Sequence, residues 1–140
     1  MKKILILIVS LLLMSCSEQD CGCTNYDAGL TLALKDAEGN NLINASNYND
    51  IEVRYLIDGV SRDGQRPVLI EDDFGTRIGI TLNNEKSEQF PVTYIIWNDN
   101  DTDTIKASFR NRHTMVDKVW INNQLIDRYE SPGYFYTLVK

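Results

Sequence analysis

The stretch VTYIIWNDNDTDTIKASFR, Val92 to Arg110, decides the fold. Val92 to Trp97 is β-branched or aromatic at every position, the composition of a strand covered on both faces, so Ile95 and Ile96 both read as core. Asn98 to Asp103 (NDNDTD) is a turn-forming run. Beyond it, Ile105, Ala107 and Phe109 alternate with Lys106, Ser108 and Arg110, so the second half returns along the first as a hairpin.

The same period of two extends outward on both sides. Downstream, Asn111-Arg112-His113 marks a turn, Met115 to Ile121 a strand, and Asn122-Asn123 a two-residue connection that tolerates the left-handed backbone of a primed hairpin turn. Gln124 to Ile126 returns, and after Ser131-Pro132-Gly133 the stretch Tyr134 to Val139 forms a last strand. Upstream, Leu30, Leu32 and Leu34 alternate with Thr31, Ala33 and Lys35, ending at a turn cluster, Asp36 to Asn41. An Asn-rich loop, 44 to 50, leads to Ile51, Val53, Tyr55 and Ile57, which alternate with Glu52, Arg54 and Leu56 and stop at Asp58-Gly59. Pro67 to Glu71 opens with a residue that cannot donate to a ladder, which assigns it to a sheet edge. Asp72 to Gly75 is a turn, Ile78, Ile80 and Leu82 form a strand, and Asn83 to Gln89 is a polar loop.

Eight or nine short strands without an amphipathic helical segment describe an all-β chain. The expected architecture is a single antiparallel β-sandwich over residues 28–140, immunoglobulin-like or transthyretin-like, with a small closed barrel as the alternative.

Residues 1–15 have a different character. Lys2 and Lys3 precede an apolar run from Ile4 to Met14, too short to span a bilayer stably, and Ser15 is a small residue at a cleavage position. Leu13-Met14-Ser15-Cys16 resembles the lipobox of bacterial lipoproteins. The resemblance implies removal of residues 1–15 and a diacylglyceryl thioether on Cys16, with residues 16–27 as the lipidated tether. One acyl chain binds a membrane marginally, whereas two or more hold it durably. Glu18 and Asp20 are similar to the acidic signal that directs lipoproteins of Bacteroidetes-type bacteria to the outer face of the outer membrane. Leu30 to Gly39, Ile51 to Gly59 and Asp103 to Leu125 likewise resemble segments of small Bacteroidetes-type lipoproteins of uncharacterised function that carry one all-β domain. That likeness implies a fold and an envelope location, on the periplasmic or the surface face, and transfers no catalytic residue.

With 20 acidic against 14 basic side chains and a net charge of −6, the chain is a poor match for nucleic acid, which calls for clustered Lys and Arg. Cys21-Gly22-Cys23 lacks the further ligands of a structural zinc site and reads as a local or intermolecular disulfide. The single histidine, His113, falls in a polar turn and reads as a solvated residue rather than a catalytic base. Asp99-x-Asp101-x-Asp103 has the opening spacing of a calcium loop. Thr104 replaces the glycine that should follow and Arg110 the bidentate glutamate, so a solvated hairpin tip is expected and no metal or cofactor is called for. Asp72-Asp73 reads as a turn former before it reads as a glycosidase pair.

These observations point to a non-enzymatic binding or structural domain. Its membrane partner is reached through Cys16, and a glycan or protein ligand is met by loops or by aromatics such as Trp97 and Trp120. The alternative is a loop-acid hydrolase or an accessory subunit in glycan processing at the envelope. Asp103-Thr104-Ile105 resembles the sequon on which Bacteroidetes-type bacteria O-glycosylate exported proteins, which would place a glycan on Thr104.

Overall fold

The computed structural model describes residues 27–110, 112–126 and 135–140. The expected signal segment, residues 1–15, Cys16 and the rest of the expected tether up to residue 26, with Cys21 and Cys23, lie outside the described residues, as does Tyr134. Ten strands follow in order: β1 (Gly29–Lys35), β2 (Glu52–Ile57), β3 (Val60–Asp63), β4 (Val68–Asp72), β5 (Gly75–Thr81), β6 (Val92–Asn98), β7 (Asp101–Arg110), β8 (Met115–Ile121), β9 (Gln124–Ile126) and β10 (Tyr136–Val139). They form a four-stranded sheet in the order β10-β1-β5-β4 and a six-stranded sheet in the order β3-β2-β6-β7-β8-β9. The sheets do not close into a barrel, and the domain is a β-sandwich. All pairings are antiparallel except β1 with β10.

The core lies between the two sheets, because alternation turns one apolar set from each of them inward. Leu30, Leu32, Leu34, Ile78 and Ile80 from the smaller sheet meet Val53, Ile95, Ile105, Val119, Ile121 and Ile126 from the larger. The opposite face of the larger sheet has no second layer of the described residues over it. In β6, accordingly, Thr93, Ile95 and Trp97 are buried while Val92, Tyr94 and Ile96 are half-exposed. This corrects the expectation of a strand covered on both sides: Ile95 is core at 0% exposure, and Ile96 belongs to the outer face.

The hairpin at the centre is tighter than its composition implies. Only Asp99 and Asn100 form the turn, a bulge lies between Ile96 and Asn98, and β7 begins at Asp101. Asp101 and Asp103 are therefore strand residues. β3 is not signalled by periodicity, since all four of its residues are exposed and one face has nothing to bury. Its signal is the turn before it: Asp58 (φ 52°) and Gly59 (φ 74°) adopt the paired left-handed conformation that folds a chain straight back on itself. Asn122 (φ 50°) and Asn123 (φ 68°) do the same between β8 and β9.

Candidate functional site

Both faces of the larger sheet carry polar chemistry. On the inner face the centre is Asp103, 2% exposed. Trp97 Nε1 donates to its Oδ2 at 2.6 Å and Asn122 Nδ2 to its Oδ1 at 2.6 Å. Lys140 Nζ lies 3.0 Å from Oδ1 and 2.9 Å from Oδ2, and 2.6 Å from Asp101 Oδ1. Burial pushes the Asp103 carboxyl up. The hydrogen bonds from Lys140, Asn122 and Trp97, with the Lys140 charge, outweigh that and hold it below the usual aspartate value. Burial likewise pushes Lys140 down, and its hydrogen bonds to Asp101 and Asp103 together with their charges more than reverse the effect. Because the Lys140 backbone N–H also donates to Lys35 O at 2.9 Å, this residue ties the end of β10 in one sheet to β7 in the other.

The expectation of a solvated tip at Asp99, Asp101 and Asp103 is thus overturned for Asp103. Strand alternation sends Asp101 and Asp103 to the same face, and the cation between them is the Lys140 ammonium. Among the described residues no group of three His, Cys, Asp or Glu side chains is placed to hold a metal ion. The network borders a cleft of about 560 Å³ whose walls include Leu34, Leu42, Asp50, Asp99 and Trp97.

Other residues singled out from the sequence have structural contacts. Asp72 Oδ1 accepts from the Phe74 N–H at 2.9 Å, shaping the turn before Gly75, and its Oδ2 pairs with Arg77. Arg77 is 4% exposed, and its guanidinium carbon lies 4.6 Å from the Phe135 ring centroid and 5.6 Å from that of Phe74. His113 is in a turn (φ 65°), but its ring stacks on Phe109 at 5.8 Å and its Nδ1 is buried, so it is shielded rather than solvated.

The two tryptophans separate. Trp97 is 8% exposed, with its one donor spent on Asp103, which corrects its assignment as a ligand platform. Trp120 stands on the outer face, flanked by buried Val119 and Ile121 that point the other way. It belongs to a cross-strand row. Ser61 pairs with Leu56, Leu56 with Val92, Val92 with Lys106, Lys106 with Trp120 and Trp120 with Leu125, so one side chain from each of the six strands lies side by side. At about 4.8 Å per strand the row is roughly 24 Å long. A second row beside it holds Arg54, Tyr94 and Thr104.

The polar loop before β6 positions the row's aromatic end. Asn83 is buried, its N–H donates to Thr93 Oγ1 at 2.8 Å, and its amide reaches Leu56 O at 2.9 Å and Val92 O at 3.2 Å. Pro91 O accepts from the Ala107 N–H, fixing Phe90 so that its ring meets Trp120 edge to face, with centroids 5.5 Å apart. Sequence reading missed this row because strand register, which composition does not encode, decides which residues become neighbours. Thr104 sits beside the row, its N–H donating to Asn122 Oδ1 at 2.9 Å. Asp103 and Ile105 on either side are buried, so a transferase reading this sequon would act before the strand is paired.

No family model, curated protein or solved structure matches the chain.

Proposed function

We propose that the protein is a lipid-anchored binding domain of the bacterial cell envelope, tethered through Cys16 to the outer membrane, which meets its ligand on the outer face of the six-stranded sheet. The observation that carries the reading is the cross-strand row centred on Lys106 and Trp120. Aromatic and aliphatic groups in line on a half-exposed sheet face offer contact area that the domain's own core does not use. The lipobox-like Leu13 to Cys16 supports the anchor, and the likeness to small Bacteroidetes-type lipoproteins agrees with both parts. Binding is preferred over loop-acid hydrolysis because Asp72 and Asp103 are committed to Arg77 and to Trp97, Asn122 and Lys140.

Intact mass of protein extracted from host membranes tests the anchor. Acyl chains are expected on Cys16, and Cys16→Ser is expected to release the domain into the soluble fraction; an unmodified, soluble wild type would refute it. Affinity electrophoresis on a panel of neutral and acidic polysaccharides, with product analysis, tests the binding. Retardation without cleavage, lost in Trp120→Ala, supports the reading, whereas turnover abolished by Asp72→Asn would replace it with the hydrolase.

A further inference from the structure

The outer face has a charge unlike that of the chain as a whole, and the difference bears on the class of ligand. Over the complete sequence acids exceed bases, 20 to 14. Many of those acids lie in turns at the ends of the sandwich, among them Glu38, Asp58, Asp73 and Asp99, all exposed. On β7 and β8 the outward positions hold Lys106, Ser108 and Lys118, with Arg110 at the end of β7; the nearest acid on these strands is Asp117, in the bulge opposite Ser108 and Phe109. Glu52 and Asp63 are also on this sheet, but they pair with Arg54 at its far side. Lys106 Nζ is held by Asn123 Oδ1 at 3.0 Å, a neutral partner that leaves its charge uncompensated.

Resting on the binding reading above, we propose that this face binds an anionic polysaccharide, with Trp120 and Tyr94 against the sugar rings and Lys106, Lys118 and Arg110 paired with the acid groups along the chain. Three features favour that occupant. The cationic half of this face, Lys106, Arg110 and Lys118 on β7 and β8 against Asp117 alone, complements a polyanion on an otherwise acidic domain. The row crosses all six strands, so it suits an extended polymer. Its centre is a lysine, the residue depleted from protein–protein interface cores because its strongly hydrated ammonium is costly to dry; a hydrated sugar acid satisfies it without that cost. The hydroxyls and amide beside the row, on Thr102, Thr104 and Asn123, supply neutral hydrogen-bonding groups suited to sugar hydroxyls.

The test uses affinity electrophoresis of the domain, in chelator, through gels containing polygalacturonate or chondroitin sulfate, beside their neutral counterparts, fully methyl-esterified polygalacturonan and desulfated chondroitin with its carboxyls methyl-esterified. Retardation is expected on at least one acidic polymer and on neither neutral one, and it should fade as salt is raised because exposed charges are screened. Lys118→Gln and Lys106→Met should each weaken it about tenfold, and Trp120→Ala at least as much, with unchanged circular dichroism showing that the variants are folded. Equal retardation on acidic and neutral polymers, lost in Trp120→Ala, would overturn the anionic assignment and leave the binding reading standing. Binding to anionic phospholipid vesicles without retardation on any polysaccharide would overturn it in favour of a membrane surface. No retardation on any polymer, acidic or neutral, with Trp120 quenched equally by iodide whether or not polymer is present, would overturn both.

Discussion

Trp97 and Trp120 stand two strands apart in one sheet and face opposite ways, and almost everything about them differs for that reason. Trp97 points inward, is nearly fully buried and gives its indole N–H to a buried carboxylate. Trp120 points outward, is half-exposed and meets Phe90 edge to face beside its cross-strand neighbours Lys106 and Leu125. The inner face spends its polar groups on one another, which makes it a stability device. On the outer face the cations near Trp120 keep their charge available, which makes it a surface for something else. The same alternation separates Ile95 from Ile96 and Asp103 from Thr104.

The largest expected effect contrasts Ile95 with Ile96. Ile95→Ala removes a side chain with no exposure and should cost about 4 kcal/mol, through lost burial and a cavity the two sheets cannot fully close. Ile96→Ala, on the half-exposed face, should cost about 1 kcal/mol. Denaturant melts read both, and equal costs would mean that the outer face is covered after all.

Next comes the buried network. Asp103→Ala strands the Trp97 N–H and leaves the Lys140 ammonium with Asp101 alone, and should cost about 3 kcal/mol, at the lower end for a broken buried pair because Lys140 keeps Asp101 and some contact with water. The wild type should show the same loss as a pH effect. The folded Asp103 carboxyl titrates below its ordinary value of 3.8, so its contribution is complete above that pH and disappears as the pH falls through the folded value. Lys140 titrates above 10.5, so its share is present at neutral pH and disappears only as the pH rises through the raised value. Acid titration followed by Trp97 emission should therefore report a step that Asp103→Asn lacks; a step retained in that variant would assign it elsewhere.

The smallest effect on stability belongs to the outer face. Trp120→Ala should cost about 1 kcal/mol, the sum of a cross-strand contact and an aromatic edge contact, while removing the fluorescence component that iodide quenches. A cost as large as that of Ile95→Ala would show Trp120 to be a core residue and dissolve the contrast between the faces.

Local chemistry along the chain was enough to place most of the strands, because alternation, Pro67 at an edge, and the Asp58-Gly59 and Asn122-Asn123 turns all act over a few residues. The all-β class, the sandwich and the turn at Asp72 to Gly75 follow from such signals. The burial of Asp103 does not, since an aspartate in a run of turn formers becomes a core residue only when Trp97, Asn122 and Lys140, distant in sequence, arrive around it. The row from Ser61 to Leu125 has the same origin. Which residues stand beside one another across a sheet is set by register, and register is a property of paired strands, not of any one of them. So the sequence by itself determined that the chain pairs into sheets and where it turns. Only the packed sandwich decided which face each side chain met, and with it which tryptophan is structural and which is offered to a ligand.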